Sequence, residues 1–169
     1  IQLSGGEDNP VLSSVAISSD NKYIAVGGYD MRIRIWSYGD WKDPPIILDQ
    51  SYGIIRDVAF NPKSNVLYAG TEKGYVILWE DIHDTGAASV QLINKEELGE
   101  INCIDVSKDG RYIAAGDING STWIWDLTKI NDRPIVLRTD FGEATRSLAF
   151  HPKQESIIAT GGDDASIYV

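Results

Sequence analysis

The side chains best suited to catalysis are two histidines and one cysteine, and none has the neighbours that a catalytic site requires. His83 lies in the polar stretch "DIHDTG" and His151 in "AFHPK", far apart in the sequence, and neither is near a nucleophile motif. The lack of paired ligand spacing argues against zinc. Cys103 lies in the apolar run "INCIDV", which favours a buried strand residue. We therefore predict surface histidines and no enzymatic activity.

Carboxylates and glycines also fall short of a ligand site. Asp163-Asp164 and the carboxylates of "DIHD" are calcium-type ligands, but a calcium loop needs several oxygen ligands at fixed intervals and none recurs. Gly27-Gly28 and Gly161-Gly162 do not lead into a helix, so they are interpreted as strand-end glycines, not as a phosphate cradle. The sequence predicts neither a metal nor a cofactor.

Composition limits the classes of partner. The 169 residues carry 25 acidic and 15 basic side chains, a formal net charge of −10. Such a chain repels phosphate backbones and anionic lipid, so nucleic acids and membranes are unfavourable partners. No apolar run approaches the roughly 20 residues that a membrane helix needs. A cytoplasmic location is expected.

A repeated hairpin provides the scaffold for these residues. In "GRYIAAGDINGSTWIWDL" two β-rich runs flank Asn119-Gly120, a pair that favours a type I′ turn. Similar stretches end at Trp36 and Trp79, so that the three tryptophans, with Trp125, are spaced by 43 and 46 residues. A period of this length is typical of repeat architectures. The units are 1–37, 46–80, 90–126 and 135–169.

Each unit is predicted to contain four short strands. The first strands are Ile1 to Leu3, Ile46 to Leu48, Val90 to Ile93 and Ile135 to Leu137. The second strands are Ser14 to Ile17, Asp57 to Phe60, Cys103 to Val106 and Ser147 to Phe150. The runs "VILW" and "WIW" are apolar on both faces, which indicates sheets stacked against sheets on either side.

These features resemble the WD-repeat β-propeller family. The resemblance depends on the period, on Trp125-Asp126, on "DVAFNP" and "SLAFHP", and on "GDINGSTWIWDL" and "GGDDASIYV". It implies an all-β fold of about four blades of four-stranded antiparallel sheet, forming part of a seven- or eight-bladed ring. The stretch "RPIVLRTDFGEATRSLAFHP" further resembles WD repeats of bacterial multidomain signalling proteins.

The chain departs from the family pattern in the residues of its buried hydrogen-bond network. The Gly-His pair is missing from all four units, and the turn Asp, present as Asp30 and Asp164, is replaced by Lys73 and Asn119 in the middle units. Packing and backbone ladders are therefore expected to hold the blades together.

The resemblance implies a binding rim where the second strands begin, around the central channel. The equivalent residues are Ser13, Arg56, Asn102 and Arg146. The residues that precede them on the same rim are Val11, Ile54, Glu100 and Ala144. Two arginines at such a rim suit an acidic or phosphorylated peptide, because guanidinium groups bind carboxylates and phosphates through two hydrogen bonds. Alternatively they pair with carboxylates such as Asp57 or Glu143. Trp41, in the linker "SYGDWKDPP", is a second candidate for partner contact.

The predicted function is a non-enzymatic protein-interaction scaffold or sensor module. Four units alone would expose blade faces rich in Val, Ile and Trp, which implies further partners. These partners are the remaining propeller blades of a longer chain or a second copy, as in a self-associating half-propeller. An enzyme on a propeller fold, with its site in blades outside this sequence, is the other alternative.

Overall fold

A computed structural model describes residues 10–40, 42–49, 52–83, 90–93, 98–138, 142–154 and 156–169. The strands are β1 Leu12–Ile17, β2 Tyr23–Gly28, β3 Arg32–Ser37, β4 Ile46–Asp49, β5 Ile55–Phe60, β6 Leu67–Thr71, β7 Val76–Trp79, β8 Val90–Leu92, β9 Ile101–Val106, β10 Tyr112–Asp117, β11 Ser121–Asp126, β12 Ile135–Arg138, β13 Thr145–Phe150, β14 Ile158–Gly162 and β15 Ile167–Tyr168. A short 3-10 helix covers Leu127–Lys129. Among these residues no helix is long and apolar enough to cross a membrane.

The strands form four antiparallel sheets in chain order. Sheet 1 is β1–β4, sheet 2 is β5–β8, sheet 3 is β9–β12 and sheet 4 is β13–β15. The first strands of successive sheets contact each other, β1 with β5, β5 with β9 and β9 with β13. We call these four the inner strands. The arrangement confirms the predicted all-β fold of stacked sheets that begin along one inner line.

The sheets are offset by one strand from the repeat units. β4 pairs with β3, β8 with β7 and β12 with β11, so the opening strand of each of these units completes the sheet of the preceding unit. The linker after each Trp-containing strand therefore returns the chain antiparallel to that strand. The predicted strand Ile1 to Leu3 lies outside the described residues.

Three apolar clusters lie between the sheets. Ile33, Ile35 and Leu48 of sheet 1 pack with Val58 and Phe60 of sheet 2. The second cluster joins sheets 2 and 3, and the third joins sheets 3 and 4. Trp125 belongs to the second cluster and its neighbour Ile124 packs against the third. The prediction that this strand is covered on both faces is confirmed, because alternate side chains enter different clusters.

A close approach of backbone and side chain accompanies each interface between sheets. A Cβ placed on Gly27, Gly70 or Gly116 of the second strand would overlap the first side chain of the next inner strand. The pairs are Gly27 with Ile55, Gly70 with Ile101 and Gly116 with Thr145. We call the three glycines the slot glycines and their partners, Ile55, Ile101 and Thr145, the key residues. By the strand registers, Gly161 and Leu12 occupy the equivalent positions in sheets 4 and 1.

The hairpin turn at Asn119-Gly120 differs from the predicted type I′ turn. Gly120 has φ +77° but Asn119 is not among the described residues with positive φ. The same single left-handed residue recurs as Met31, Gly74 and Ala165 in the other three hairpins. This is the geometry of a type I turn followed by one left-handed residue. The type I′ prediction was wrong because the loop contains three residues, not two.

Asp117 anchors this turn, although the family pattern places its acidic residue at position 119. Its Oδ1 accepts hydrogen bonds from the backbone N–H groups of Asn119 (2.9 Å) and Ser121 (2.8 Å). Its Oδ2 accepts a hydrogen bond from Trp123 Nε1 (2.9 Å). A carboxylate two residues earlier in the sequence thus fixes both the loop and an indole of the following strand.

Candidate functional site

The four rim residues predicted from the repeat are the bulge residues of the inner strands. In each inner strand the pairing with the second strand skips one residue, for example between Ile55 and Asp57. The skipped residues are Ser13, Arg56, Asn102 and Arg146. A β-bulge redirects the side chain of its extra residue and increases the local twist. We call this set the bulge row. The bulge explains why each inner strand begins two residues before its predicted start.

Arg56 connects three sheets. Its Nη1 donates a hydrogen bond to Tyr29 Oη (2.9 Å), and its guanidinium carbon lies 5.3 Å from the centre of the Tyr29 ring. It forms an ion pair with Glu100, which directly precedes β9. Its Nε is buried and has no hydrogen-bond partner among the described residues. The Nε–H of Arg56 is therefore a buried donor that these two contacts do not satisfy.

Arg146 is the exposed member of the bulge row. Its Nε and Nη2 donate hydrogen bonds of 2.6 to 3.0 Å to both carboxylate oxygens of Asp163. These hydrogen bonds lower the pKa of Asp163. The pKa of Arg146 is raised by Asp163 and, more weakly, by the negative charge of Glu100. Both arginines therefore interact with Glu100.

The alternative partners suggested for the arginines are replaced by other carboxylates. Glu100 and Asp163, not Asp57 and Glu143, pair with Arg56 and Arg146. Glu100 lies in a linker and Asp163 at the β14–β15 turn, so neither is a neighbour of its arginine in sequence.

Unsatisfied polar atoms concentrate at this end of the inner strands. Asn102 Nδ2 donates to the carbonyl oxygen of Thr145 (3.0 Å), but the hydroxyls of Ser13 and Thr145 are buried without partners in the described part of the chain. The described part of the chain has four buried side-chain atoms without a hydrogen-bond partner. Three of them are at this end of the inner strands, Ser13 Oγ, Arg56 Nε and Thr145 Oγ1, and the fourth is Trp79 Nε1. A buried polar group without a partner costs about 1 to 3 kcal/mol. The bulge row thus has unused hydrogen-bonding capacity.

Two predicted candidates remain, Ile54 and Trp41. Ile54 is half-buried just before β5, where its backbone pairs with Glu72. Trp41 lies outside the described residues.

Both histidines have structural contacts. His83 Nε2 lies 3.0 Å from Tyr23 Oη. His151 Nδ1 accepts hydrogen bonds from the backbone N–H groups of Lys153 (3.1 Å) and Gln154 (3.0 Å). At the equivalent turns Ser18, Asn61 and Ser107 accept similar bonds. In the described ranges no three His, Cys, Asp or Glu side chains are grouped so that they could hold a metal ion.

Cys103 is buried, as predicted. Burial raises the pKa of its thiol to about 12. The thiolate is the nucleophilic form of cysteine, so this side chain is unreactive near neutral pH.

Two aspartates join the inner strands to one another, which the sequence reasoning missed. Asp57 Oδ1 accepts a hydrogen bond from Ser14 Oγ in sheet 1 (2.6 Å), and its Oδ2 accepts one from the backbone N–H of Ile104 in sheet 3 (2.8 Å). Asp105 Oδ2 accepts a hydrogen bond from the backbone N–H of Phe150 in sheet 4 (2.7 Å). Side chains therefore support the interfaces between sheets, in addition to packing and backbone ladders. The signal was a carboxylate inside otherwise apolar strands.

The stability contribution of these aspartates should depend on pH. Burial raises the pKa of Asp57 and of Asp105, and the charge of Asp105 adds to the shift at Asp57. Between the ordinary and the raised pKa, the folded chain binds more protons than the unfolded chain. The free energy of unfolding should therefore increase as pH falls through the raised pKa, and decrease as pH rises through that pKa.

Denaturant unfolding of the wild type and of Asp57→Asn between about pH 7 and pH 4.5 measures this contribution, because asparagine does not titrate. The wild type should gain stability relative to the variant as pH falls. Asp163→Asn is the control, since the lowered pKa of Asp163 keeps it ionised throughout this range. A difference between wild type and Asp57→Asn that does not change with pH would contradict the expectation.

The fold and the bulge row define the class of this protein as a β-propeller: antiparallel sheets stacked through their inner strands, with polar side chains at one end of those strands. Its sequence matches the family described as WD domain, G-beta repeat over residues 2–37, 45–80 and 91–126, and the chain belongs to that family.

Several longer proteins have sequences similar to that of this chain. It is 22% identical to Telomerase Cajal body protein 1 of Mus musculus over 90% of this chain and 29% of the relative. It is 22% identical to Actin-interacting protein 1 of Caenorhabditis elegans over 89% and 24%, and 24% identical to Protein LST8 homolog of Drosophila melanogaster over 96% and 52%. The chain thus spans about half or less of the length of these relatives.

Proposed function

We propose that this chain is a non-enzymatic protein-interaction module that binds its partner at the bulge row. The observation that carries the proposal is the recurrence of a bulge at the same place in all four inner strands, which directs four polar side chains to one end of the stack. Family membership supports the class of function, and one relative is named for an interaction with actin.

The chemistry of the row favours a partner with a carboxylate or phosphate group. The Arg56 side chain is partly exposed beside Glu100, and Arg146 is exposed enough to exchange Asp163 for an external anion. Charge-assisted, bidentate hydrogen bonds from arginine are among the stronger polar contacts. Because the net charge of −10 opposes anions at long range, affinity must come from this local geometry.

Rigid presentation would favour such binding. The bulge residues belong to strands whose backbones are already paired and packed, so little conformational entropy is lost on association. The module would act as a fixed template against which a flexible acidic peptide becomes ordered.

The double variant Arg56→Ala/Arg146→Ala should weaken binding of acidic and phosphoserine peptides by at least about tenfold, equivalent to about 1.4 kcal/mol. Fluorescence anisotropy with a peptide panel measures the effect. Arg111→Ala is the matched control, because Arg111 is an exposed arginine paired with Asp126 beyond the other end of β9.

Thermal unfolding of both variants shows whether the fold is retained. A folded double variant that binds the panel as tightly as the wild type would overturn the proposal.

A further inference from the structure

The outer strand of sheet 3, β12, has a free edge. It is the last strand in the order β9-β10-β11-β12, and no strand among the described residues pairs with its other side. An edge strand presents backbone N–H and C=O groups that can pair with an added strand. Recognition of an extended peptide in this way is common in proteins. The edge of β12 therefore offers backbone hydrogen bonds to a partner.

A cavity lies beside this strand, between the outer parts of sheets 2 and 3. Its volume is about 490 Å³, and its walls include Ile93, Trp123, Ile130 and Val136. The indole of Trp123 is held in place, because its Nε1 donates a hydrogen bond to Asp117 Oδ2 (2.9 Å). A largely apolar space of this size is typical of ligand pockets. The cavity can receive a bulky apolar side chain.

The corresponding position between sheets 1 and 2 is filled. By the strand registers, Ile77 of β7 corresponds to Trp123 of β11. Ile77 is fully buried in the cluster between sheets 1 and 2, whereas Trp123 is partly exposed. The cavity is therefore not a consequence of sheet stacking alone.

Two arginines without an ion pair flank β12. The other arginines each form an ion pair with a carboxylate: Arg32, Arg34, Arg56, Arg111 and Arg146. Arg133 and Arg138 are exposed and form none within the described ranges. The outer strand of sheet 1, β4, is flanked by Asp43 and Asp49 instead. The charge beside β12 thus favours an acidic segment, which the charge beside β4 would repel.

We propose that β12 binds an extended acidic segment of a partner protein. The segment adds antiparallel to the free edge of β12, and a bulky apolar side chain opposite Val136 enters the cavity. Carboxylates on either side of it pair with Arg133 and Arg138. An extended stretch between these arginines spans about 16 Å, so the two acidic residues are about five positions apart. This site is on the outer strand and does not depend on binding at the bulge row.

Fluorescence anisotropy with a labelled peptide tests the inference. The probe carries two glutamates with Trp two positions after the first and three before the second, and threonine elsewhere. Arg56→Ala/Arg146→Ala is the background, so that this acidic probe finds no arginine at the bulge row. The probe should bind, and serine in place of its Trp should weaken binding.

Charge reversal at the two flanking arginines tests the ion pairs. Arg133→Glu/Arg138→Glu should weaken binding by at least about tenfold. Lys108→Glu/Lys153→Glu is the matched control, since it makes the same change in net charge on exposed turns, and it should change binding by less than about twofold. Thermal unfolding shows whether each variant retains its fold.

Backbone methylation of the probe tests strand addition. Alternate residues of an antiparallel strand face its neighbour, so N-methylation of one alternate set of amides should abolish binding and methylation of the other set should not. In the wild type, benzoylphenylalanine in place of the probe's Trp should cross-link to Trp123, Ile130 or Val136.

Three results would each overturn the inference. They are equal weakening by the two charge-reversal variants, equal binding of the two methylated probes, and a cross-link in the wild type that is absent or confined to other residues.

Discussion

Gly70→Ala should destabilise the fold by about 3 kcal/mol, at the upper end of the cost of overfilling a packed core. The new methyl group would overlap Ile101 Cγ2 and lie 3.1 Å from Ile104 Cγ2. Ile101 is fully buried and β-branched, so it has little freedom to move away. The strain would therefore push β6 away from β9, and both strands lie at the interface between sheets 2 and 3.

Gly161→Ala is the matched control. It makes the same change at the same position of sheet 4, where the new methyl group has open space. Urea unfolding should show a lower midpoint for Gly70→Ala and a nearly unchanged one for Gly161→Ala. Equal midpoints for the two variants would show that the close approach at Gly70 does not limit packing.

Asp57→Ala should cost about 2 to 3 kcal/mol, because it leaves the Ile104 N–H and the Ser14 hydroxyl without their acceptor. Unlike most surface aspartates, Asp57 contacts the sheets on both sides of its own. The loss should therefore loosen two interfaces together.

Asp132→Ala is the comparison, since Asp132 is an exposed loop aspartate, and its effect should stay within about 0.5 kcal/mol. A double-mutant cycle with Ser14→Ala isolates the bond between sheets 1 and 2, and a coupling energy near zero would show that this bond contributes nothing.

The architecture could be predicted from the sequence because each repeat carries the same local signals. Three local signals predict four stacked sheets without knowledge of any long-range contact. They are the spaced tryptophans, the turn residues between strands, and the runs "VILW" and "WIW", which are apolar on both faces. Equivalence between repeats also gave the four matching positions on the inner strands, whereas their place at a binding rim was implied by the family resemblance. What remained hidden was that Ser13, Arg56, Asn102 and Arg146 are bulge residues, because a bulge interrupts the alternation from which strand starts are predicted.

The partners of those residues could not be predicted in the same way. Glu100 reaches Arg56 from a linker in the next repeat, and its position depends on how sheets 2 and 3 stack. Asp117 takes over a role that the family assigns two positions later, which only the three-residue loop geometry makes possible. The roles of Asp57 and Asp105 depend on strands more than 40 residues away.

Because of the one-strand offset between repeats and sheets, each repeat supplies the outer strand of the sheet before it. Removing one repeat by recombination would not remove one sheet. A deletion of residues 46–80 would remove β4 from sheet 1 and β5, β6 and β7 from sheet 2. It would leave β8 to pair with the exposed edge of β3. Since each of the first three repeats ends on the same kind of Trp-containing strand, that new pairing would restore a four-stranded sheet. Loss of a whole repeat would therefore leave complete sheets on either side of the deletion. This gives such a chain a simple route to change in length during evolution.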